Sequence, residues 1–197
     1  MTVRLIPFTA QLASGELVRI REVGRHDRAL ILTGFGQLSE RSRYLRFLGP
    51  HPQLSHRELD DFTAPTDDHR AVIGAERQGH RSVEPLGIAR YVRTKPGGDV
   101  AEMAMTVVDR FQGLGLGGIL MGALVKHATQ NGVTSFLALV HAENAPMLAL
   151  LRRLGATEIR RDATEIEMRV SLGPRPPEAA AIPNDGFTEA YRLAELG

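Results

Sequence analysis

Residues 113–118 read Gly-Leu-Gly-Leu-Gly-Gly, between the strand-like run "AMTVV" and "GGILMGALVKHA", whose apolar residues fall at helical spacing. Glycines at the mouth of a helix remove side chains and leave backbone N–H groups bare. The positive end of the helix dipole then favours an anion there. Helix propensity argues against so many glycines in a first turn unless that bareness is used. The stretch satisfies G-x-G-x-x-G, and Glu143 follows the next strand as a dinucleotide site would want. That fingerprint, however, needs its first glycine directly after the strand, and Asp109-Arg110-Phe111-Gln112 intervenes. The unit also lies too late in the chain for a second nucleotide-binding half. A P-loop is excluded because no Gly-Lys-Ser/Thr follows the glycines. What remains is an anion site for a phosphate-bearing ligand of another kind, favoured over a plain glycine connector, with Gln112 as a side-chain donor and Arg110 as either a phosphate contact or a solvated arginine.

Three further residues could do chemistry. Glu102 interrupts the apolar strand "VAEMAMTVV"; by alternation alone its carboxylate lies on the solvated face. His141 ends the next apolar run, and a lone histidine is read as structural. Asn144 opens a helix, where its side chain is suited to capping. With no cysteine in the chain, thiolate zinc sites, disulfides and a cysteine nucleophile are all excluded. No ligand cluster calls for a metal.

These residues need elements to hold them. The run 16–23 alternates as a half-buried strand, and three helical segments follow: 25–39, 40–49 and 54–64. In the second, Tyr44, Leu45 and Phe47 are expected core contacts. In the third, Ser55 and Glu58 have capping-box spacing. Three strands, "HRAVIGAER", "PLGIARYVRT" and "VAEMAMTVV", lie close enough to form an antiparallel meander. After the glycine loop come a helix closed by Asn131-Gly132 and the strand "VTSFLALVH", whose near-continuous apolar character implies cover on both faces. The helix "ENAPMLALLRRLG" and a hairpin from "ATEIRRD" and "TEIEMRVSL" complete the body. A proline-rich linker begins at Gly173. The tail "FTEAYRLAEL" is a short amphipathic helix, to dock on the body, on a partner or on a second copy in a homodimer. The order predicts an α/β (α+β) fold: a mixed, mostly antiparallel sheet with helices on both faces.

The 197 residues suit one domain, and 43% hydrophobic content can fill its core. The 24 basic and 23 acidic residues leave a formal charge of +1, which offers no field for nucleic acid or anionic membrane. No run approaches the ~18 apolar residues of a membrane helix, and the N-terminus lacks a signal-peptide core. A cytoplasmic protein is expected.

In its whole context, "VVDRFQGLGLGGILMGALVKHA" resembles the acetyl-CoA signature of the GNAT N-acetyltransferases, Gln/Arg-x-x-Gly-x-Gly/Ala, met by Gln112, Gly115 and Gly117. "ENAPMLALLRRLGA" is similar to that family's asparagine-bearing helix. "LSERSRYLRFLGPHPQLSHRELDDFT" together with "AEMAMTVVDRFQGLGLG" most resembles the catalytic domain of the Pat-type protein lysine acetyltransferases. The resemblance spans roughly residues 16–172, with the strongest motifs from about 100 to 156. It implies a GNAT domain over 1–172, followed by the linker and tail of 173–197. It also implies acetyl-CoA as acyl donor, coenzyme A as product, and a lysine-bearing protein or a small amine as acceptor. A non-catalytic acyl-CoA-binding module is the reading from another class. By the resemblance, the backbone of Gly113, Leu114, Gly115, Leu116, Gly117 and Gly118 would hold the pyrophosphate. Met105, Val107 and Val108 would bond the pantetheine arm, with the N–H of Met105 or Val107 polarising the thioester carbonyl. Asn144 would contact the cofactor, and Glu102, at the matching "AEMA" position, would be the general base. Many relatives carry a tyrosine acid seven residues after that asparagine; here the position is Leu151.

Overall fold

Eight strands make one sheet in the computed structural model of the protein, which describes residues 2–78, 82–173 and 186–195. They are β1 (Phe8–Gln11), β2 (Leu17–Glu22), β3 (Arg70–Gln78), β4 (Val83–Arg93), β5 (Val100–Val107), β6 (Ser135–His141), β7 (Thr157–Arg161) and β8 (Glu165–Ser171). Their order in the sheet is β1-β2-β3-β4-β5-β6-β8-β7. Neighbours run antiparallel except β5 and β6, which are parallel. The expected meander is β3-β4-β5 and the expected hairpin is β7-β8. The short β1 is not expected from the sequence, because four residues of "FTAQ" carry too little alternation to signal a strand.

The helices are α1 (Arg28–Gly36), α2 (Glu40–Phe47), α3 (His56–Phe62), α4 (Leu116–Gln130), α5 (Ala145–Arg153) and α6 (Gly186–Leu193). Ser55 and Glu58 close the capping box at α3 reciprocally: the Ser55 hydroxyl accepts from Glu58 N–H at 3.2 Å, and the Glu58 carboxylate accepts from Ser55 N–H at 2.8 Å. Gly132, at φ +80°, takes the left-handed turn that ends α4. Leu116, Ile119, Leu120 and Leu124 of α4 bury against one sheet face with Tyr91, Ala101, Met103 and Phe136. On the opposite face Ile31, Leu59 and Phe62 pack with Val23 and Val72 in a smaller cluster.

Two expectations about burial fail in part. Phe47 packs on the smaller cluster as expected, but no α2 side chain is fully buried, and Leu45 lines a cavity instead of the core. In β6, Phe136, Ala138 and Val140 are buried, but Leu139 is 47% exposed. α2 approaches β5 and β6 without sealing them, so the second face of β6 stays open. The apolar residues of α2 and β6 look like core in the sequence because composition cannot distinguish a core from the wall of a groove.

The tail helix docks on the body. Gly118 and Gly122 stand four apart on α4 and let α6 approach closely. A Cβ at Gly118 would lie 3.3 Å from Phe187 N, and one at Gly122 would lie 3.0 Å from Tyr191 N and overlap Phe187 O. Phe187 and Ala190 are buried there, and the Glu195 carbonyl accepts from Ile6 N–H at 2.9 Å. The proline-rich linker falls on residues 174–185, outside the described residues.

A polar network crosses the core beneath α4. Glu22 accepts from Leu5 N–H at 2.8 Å and from Arg4 at 2.9 Å, and lies 3.6 Å from Nε2 of the buried His127. Burial alone would raise its carboxyl, but these donors outweigh it and hold Glu22 down at about 2, from an ordinary 4.5.

Glu22 therefore stabilises the fold fully above pH 4.5 and loses that contribution as pH falls toward 2; the change is up to about 3 kcal/mol. Urea titrations across that window are expected to show Glu22→Gln with a flatter stability profile than wild type. Gly122→Ala is expected to lower stability by about 1–3 kcal/mol through overpacking against α6, despite Ala's better helix propensity. The denaturation midpoint measures it; an unchanged or raised midpoint contradicts the close α4–α6 contact.

Candidate active site

β5 and β6 pair only at Val100–Ser135, Ala101–Phe136 and Glu102–Leu137. Beyond Glu102 they part, while β5 stays on β4 as far as Val107. Val108 N–H donates to the Leu86 carbonyl at 2.8 Å, on the β4 side. Alternation along an antiparallel strand then turns the backbone groups of Met105 and Val107 to the other side, into the gap. The Val107 carbonyl is met there by Gln112 Nε2 at 3.0 Å. Val108, expected to bond the pantetheine arm, is 4% exposed with its N–H already committed, and cannot donate to a ligand.

A cavity of about 190 Å³ occupies the gap. Met105, Thr106 and Val107 form one wall, and Asn144, Met147 and Leu150 of α5 another. Gly113 and Gly117 close it at the glycine loop, and Ser42, Leu45 and Arg46 of α2 stand over it. Gly113 and Gly115 adopt φ +75° and +86°, and no protein atom lies within 4 Å of a Cβ built on either. Among the described residues, no N–H from Gly113 to Gly118 donates a hydrogen bond. That row of bare donors at the N-terminus of a 15-residue helix fits a diphosphate. Leu116 has its side chain buried in the core, which leaves only its backbone to face the loop's mouth. The Leu114 carbonyl is anchored by Ala13 N–H at 3.0 Å. Gly118 has its Cβ direction toward α6, so its absent side chain serves helix packing.

The loop is tied to α2 by residues that sequence reasoning does not single out. Asp109 accepts from Ser39 Oγ at 2.6 Å, Ser39 N–H at 3.0 Å and Ser42 Oγ at 2.8 Å. Burial would raise its carboxyl, yet the hydrogen bonds from Ser39 and Ser42 prevail and hold it below the ordinary carboxylate range. Gln112 reaches Ser42 Oγ at 3.3 Å. The only signal in sequence is the Ser-x-x-Ser of "LSERS", since nothing linear connects it to Asp109 about 70 residues on. Arg110 pairs with Glu84 and donates to Gln37 at 3.3 Å, so its charge is engaged away from the loop. Glu143, the acidic residue of the dinucleotide alternative, pairs with Arg41 at 2.6 Å.

Glu102 is exposed and faces a second concavity, of about 380 Å³, on the open sheet face. Leu137 and Leu139 of β6 floor it, and Arg46 and Phe47 of α2 overhang it. Arg46 lines both cavities, so the two adjoin at that side chain. Asn144 caps α5, accepting from Met147 N–H at 3.2 Å, and also lines the first cavity. Leu151 is fully buried in core. Tyr91 is buried with its hydroxyl 3.2 Å from His127 Nδ1, and Tyr44 packs edge-on against His141 at 5.2 Å. No tyrosine lines either cavity. His141 Nδ1 accepts from Glu143 N–H at 3.1 Å, a structural contact.

Residues 38–156 match the acetyltransferase (GNAT) family, and the chain belongs to it. Its fold is that of the GNAT acetyltransferases. Acetyltransferase Pat of Mycolicibacterium smegmatis is 31% identical over 171 residues, which are 86% of this chain and 50% of that protein. The chain thus spans half the length of that relative. Acetyltransferase PA5475 of Pseudomonas aeruginosa is 30% identical over 167 residues, 84% of this chain and 89% of that one. Among solved structures, the GNAT domain of S. lividans PAT superposes with a TM-score of 0.77 at 27% identity, covering 84% of this chain and 97% of that one. The chain is thus closely related to the Pat-type GNAT domains. Among the described residues no helix is long and apolar enough to cross a membrane, and no group of three metal-ligating side chains occurs.

A side chain at Gly115 must adopt a left-handed conformation, a strain of about 1–3 kcal/mol. Gly115→Ala is expected to weaken coenzyme A binding about tenfold with unchanged far-UV circular dichroism. Titration calorimetry with coenzyme A is the check; undiminished affinity would remove the loop from the binding site.

Proposed function

We propose that the chain transfers an acetyl group from acetyl-CoA to the side-chain amine of a protein lysine, with Glu102 as general base. The observation that carries this reading is the position of Glu102, at the last paired step before β5 and β6 part, in a groove that meets the cofactor cavity. The resemblance to Pat-type enzymes supports the lysine acceptor. In the same reading residues 1–172 are the acetyltransferase domain, and 173–197 a linker and tail.

A lysine amine has a pKa near ~10.4, so about one in a few thousand is neutral at pH 7. The Glu102 carboxylate takes the ammonium proton, directly or through a water, and frees the nitrogen lone pair. Bound acetyl-CoA supplies the thioester carbon that the nitrogen attacks. The N–H of Met105 or Val107, both turned into the gap, polarises the carbonyl oxygen in this reading. As the C–N bond forms the C–S bond breaks. The thiolate, with a thiol pKa near ~8.5, leaves without a tyrosine acid and takes up the second proton that the nitrogen loses, while the first passes from Glu102 to solvent. The bare amides from Gly113 to Gly118 and the Asn144–Met147 wall hold the donor while this occurs.

Thiol release from acetyl-CoA tests the reading, with lysine-bearing protein and a panel of small amines as separate acceptors. Glu102→Gln is expected to lower turnover about a hundredfold while coenzyme A affinity stays within twofold. Turnover within threefold of wild type would remove Glu102 as base. Release with small amines alone would move the acceptor from protein to metabolite.

A further inference from the structure

The groove around Glu102 holds more positive charge than its own carboxylates balance. Of its three arginines, Arg160 lies 3.9 Å from Glu167 and 3.8 Å from Asp162. Arg46 and Arg90 have no ion pair and no hydrogen bond among the described residues. Both guanidinium groups are instead laid on aromatic rings: Arg46 over Phe47 at 5.0 Å, and Arg90 over Phe62 at 4.8 Å from the ring centre. Such stacking fixes a guanidinium in place while leaving its hydrogen-bond donors unused. Nearby acids are engaged elsewhere. Asp61 pairs with Arg70 at 3.3 Å, and Glu58 with Ser55 and, at 3.0 Å, His51. Asp60 is likewise engaged by Arg28, and Asp67 by the backbone of His69 and Arg70.

Arg90 pairs in register with Ala104, and Glu102 with Val92. Arg90 and Glu102 are therefore diagonal neighbours on one sheet face, about 7–8 Å apart. Burial is the main effect disfavouring the charged form of both arginines. At Arg90, Asp61 and Glu102 act in favour of that form and Arg70 against it; at Arg46, Arg90 acts against it and Glu58 in its favour. When an ammonium group enters and meets Glu102, that pair becomes neutral, and neither guanidinium has a carboxylate of the described residues in direct contact, Asp61 and Glu58 acting only at longer range. A diphosphate at the glycine loop could answer Arg46, which also lines the cofactor cavity. It gives no account of Arg90, which lines the acceptor groove alone.

We propose that Arg46 and Arg90 form an anion subsite beside Glu102, and that the preferred acceptor carries a carboxylate next to the amine to be acetylated. This rests on the acetyl-transfer reading above and names its substrate class. The carboxylate can belong to an acidic residue flanking a lysine, to a C-terminal lysine, or to a free amino acid. All present the planar pair of oxygens that a guanidinium grips bidentately.

The test uses the full chain saturated with coenzyme A and two lysine peptides that differ only in a flanking Glu or Gln. Peptide binding is read by calorimetry and turnover by thiol release from acetyl-CoA. A third arm offers a free dicarboxylic amino acid and its amide. The expected result is about tenfold tighter binding of the Glu peptide, a preference that falls to within twofold in Arg90→Gln and shrinks in Arg46→Gln. Equal binding of the two peptides and of the two amino acids, or a preference for the neutral member, overturns the subsite. A preference confined to the free amino acid keeps the carboxylate chemistry and assigns its source to a metabolite. If the carboxylate preference in binding is present and lost in Arg90→Gln but no acceptor is turned over, the subsite stands and the catalytic reading fails. Turnover without any carboxylate preference overturns the subsite and leaves the catalytic reading standing.

Discussion

The parting of β5 from β6 after a short stretch of pairing is the constraint on which the rest of the site depends. A buried strand edge must satisfy its backbone groups, and here residues 103–107 have a partner on one side only. Met105 and Val107 are thereby left with N–H and carbonyl groups directed at a cavity instead of a neighbouring strand. An extended, amide-bearing arm laid in that gap would complete the ladder, the logic by which a sheet edge accepts an added strand. The wedge that keeps the strands apart comes from α5. Met147 and Leu150 line the gap, and Asn144 caps the helix from which they project.

Opening a sheet in the middle of a domain is costly unless the surroundings hold it open. Here the support is polar on one side and apolar on the other. Asp109 gathers three donors from Ser39 and Ser42 and so ties the start of the glycine loop to α2. Beneath the sheet α4 buries ten of its fifteen residues, and the Gly118–Gly122 stripe brings α6 hard against its outer face. The bare amides are thus mounted on a helix that is clamped from two directions. Preorganised donors of this kind need no rearrangement when a charged group arrives.

Much of this is legible in the linear chain, for identifiable reasons. Local rules carry the capping box at Ser55, the turn at Gly132, Pro146 in the first turn of α5, and the glycine loop, since each depends on residues within a few positions of one another. The resemblance to acetyl-CoA-binding chains rests on the same short-range signals. Longer-range facts are misread or absent. Sequence pattern places Leu139 inside and Leu45 in the core, and the family resemblance puts Val108 on the ligand. In the fold Leu139 is exposed, Leu45 lines a cavity, and the Val108 N–H belongs to Leu86. In each case the residue's type is compatible with two environments, and only its neighbours across the sheet choose between them.

Residue types and spacing by themselves determined the class of the fold, the phosphate-competent loop and the absence of cysteine chemistry. They did so because helix starts, turns and strand alternation are written within a window of a few residues. Tertiary structure alone decided which backbone amides face the gap, that Asp109 meets Ser39 and Ser42, and that Arg46 and Arg90 stand on aromatic rings beside Glu102 with no ion pair among the described residues. Those facts depend on strand register and on the approach of elements distant in sequence. No local pattern encodes the distance between two such elements, because the packing of the whole core sets it.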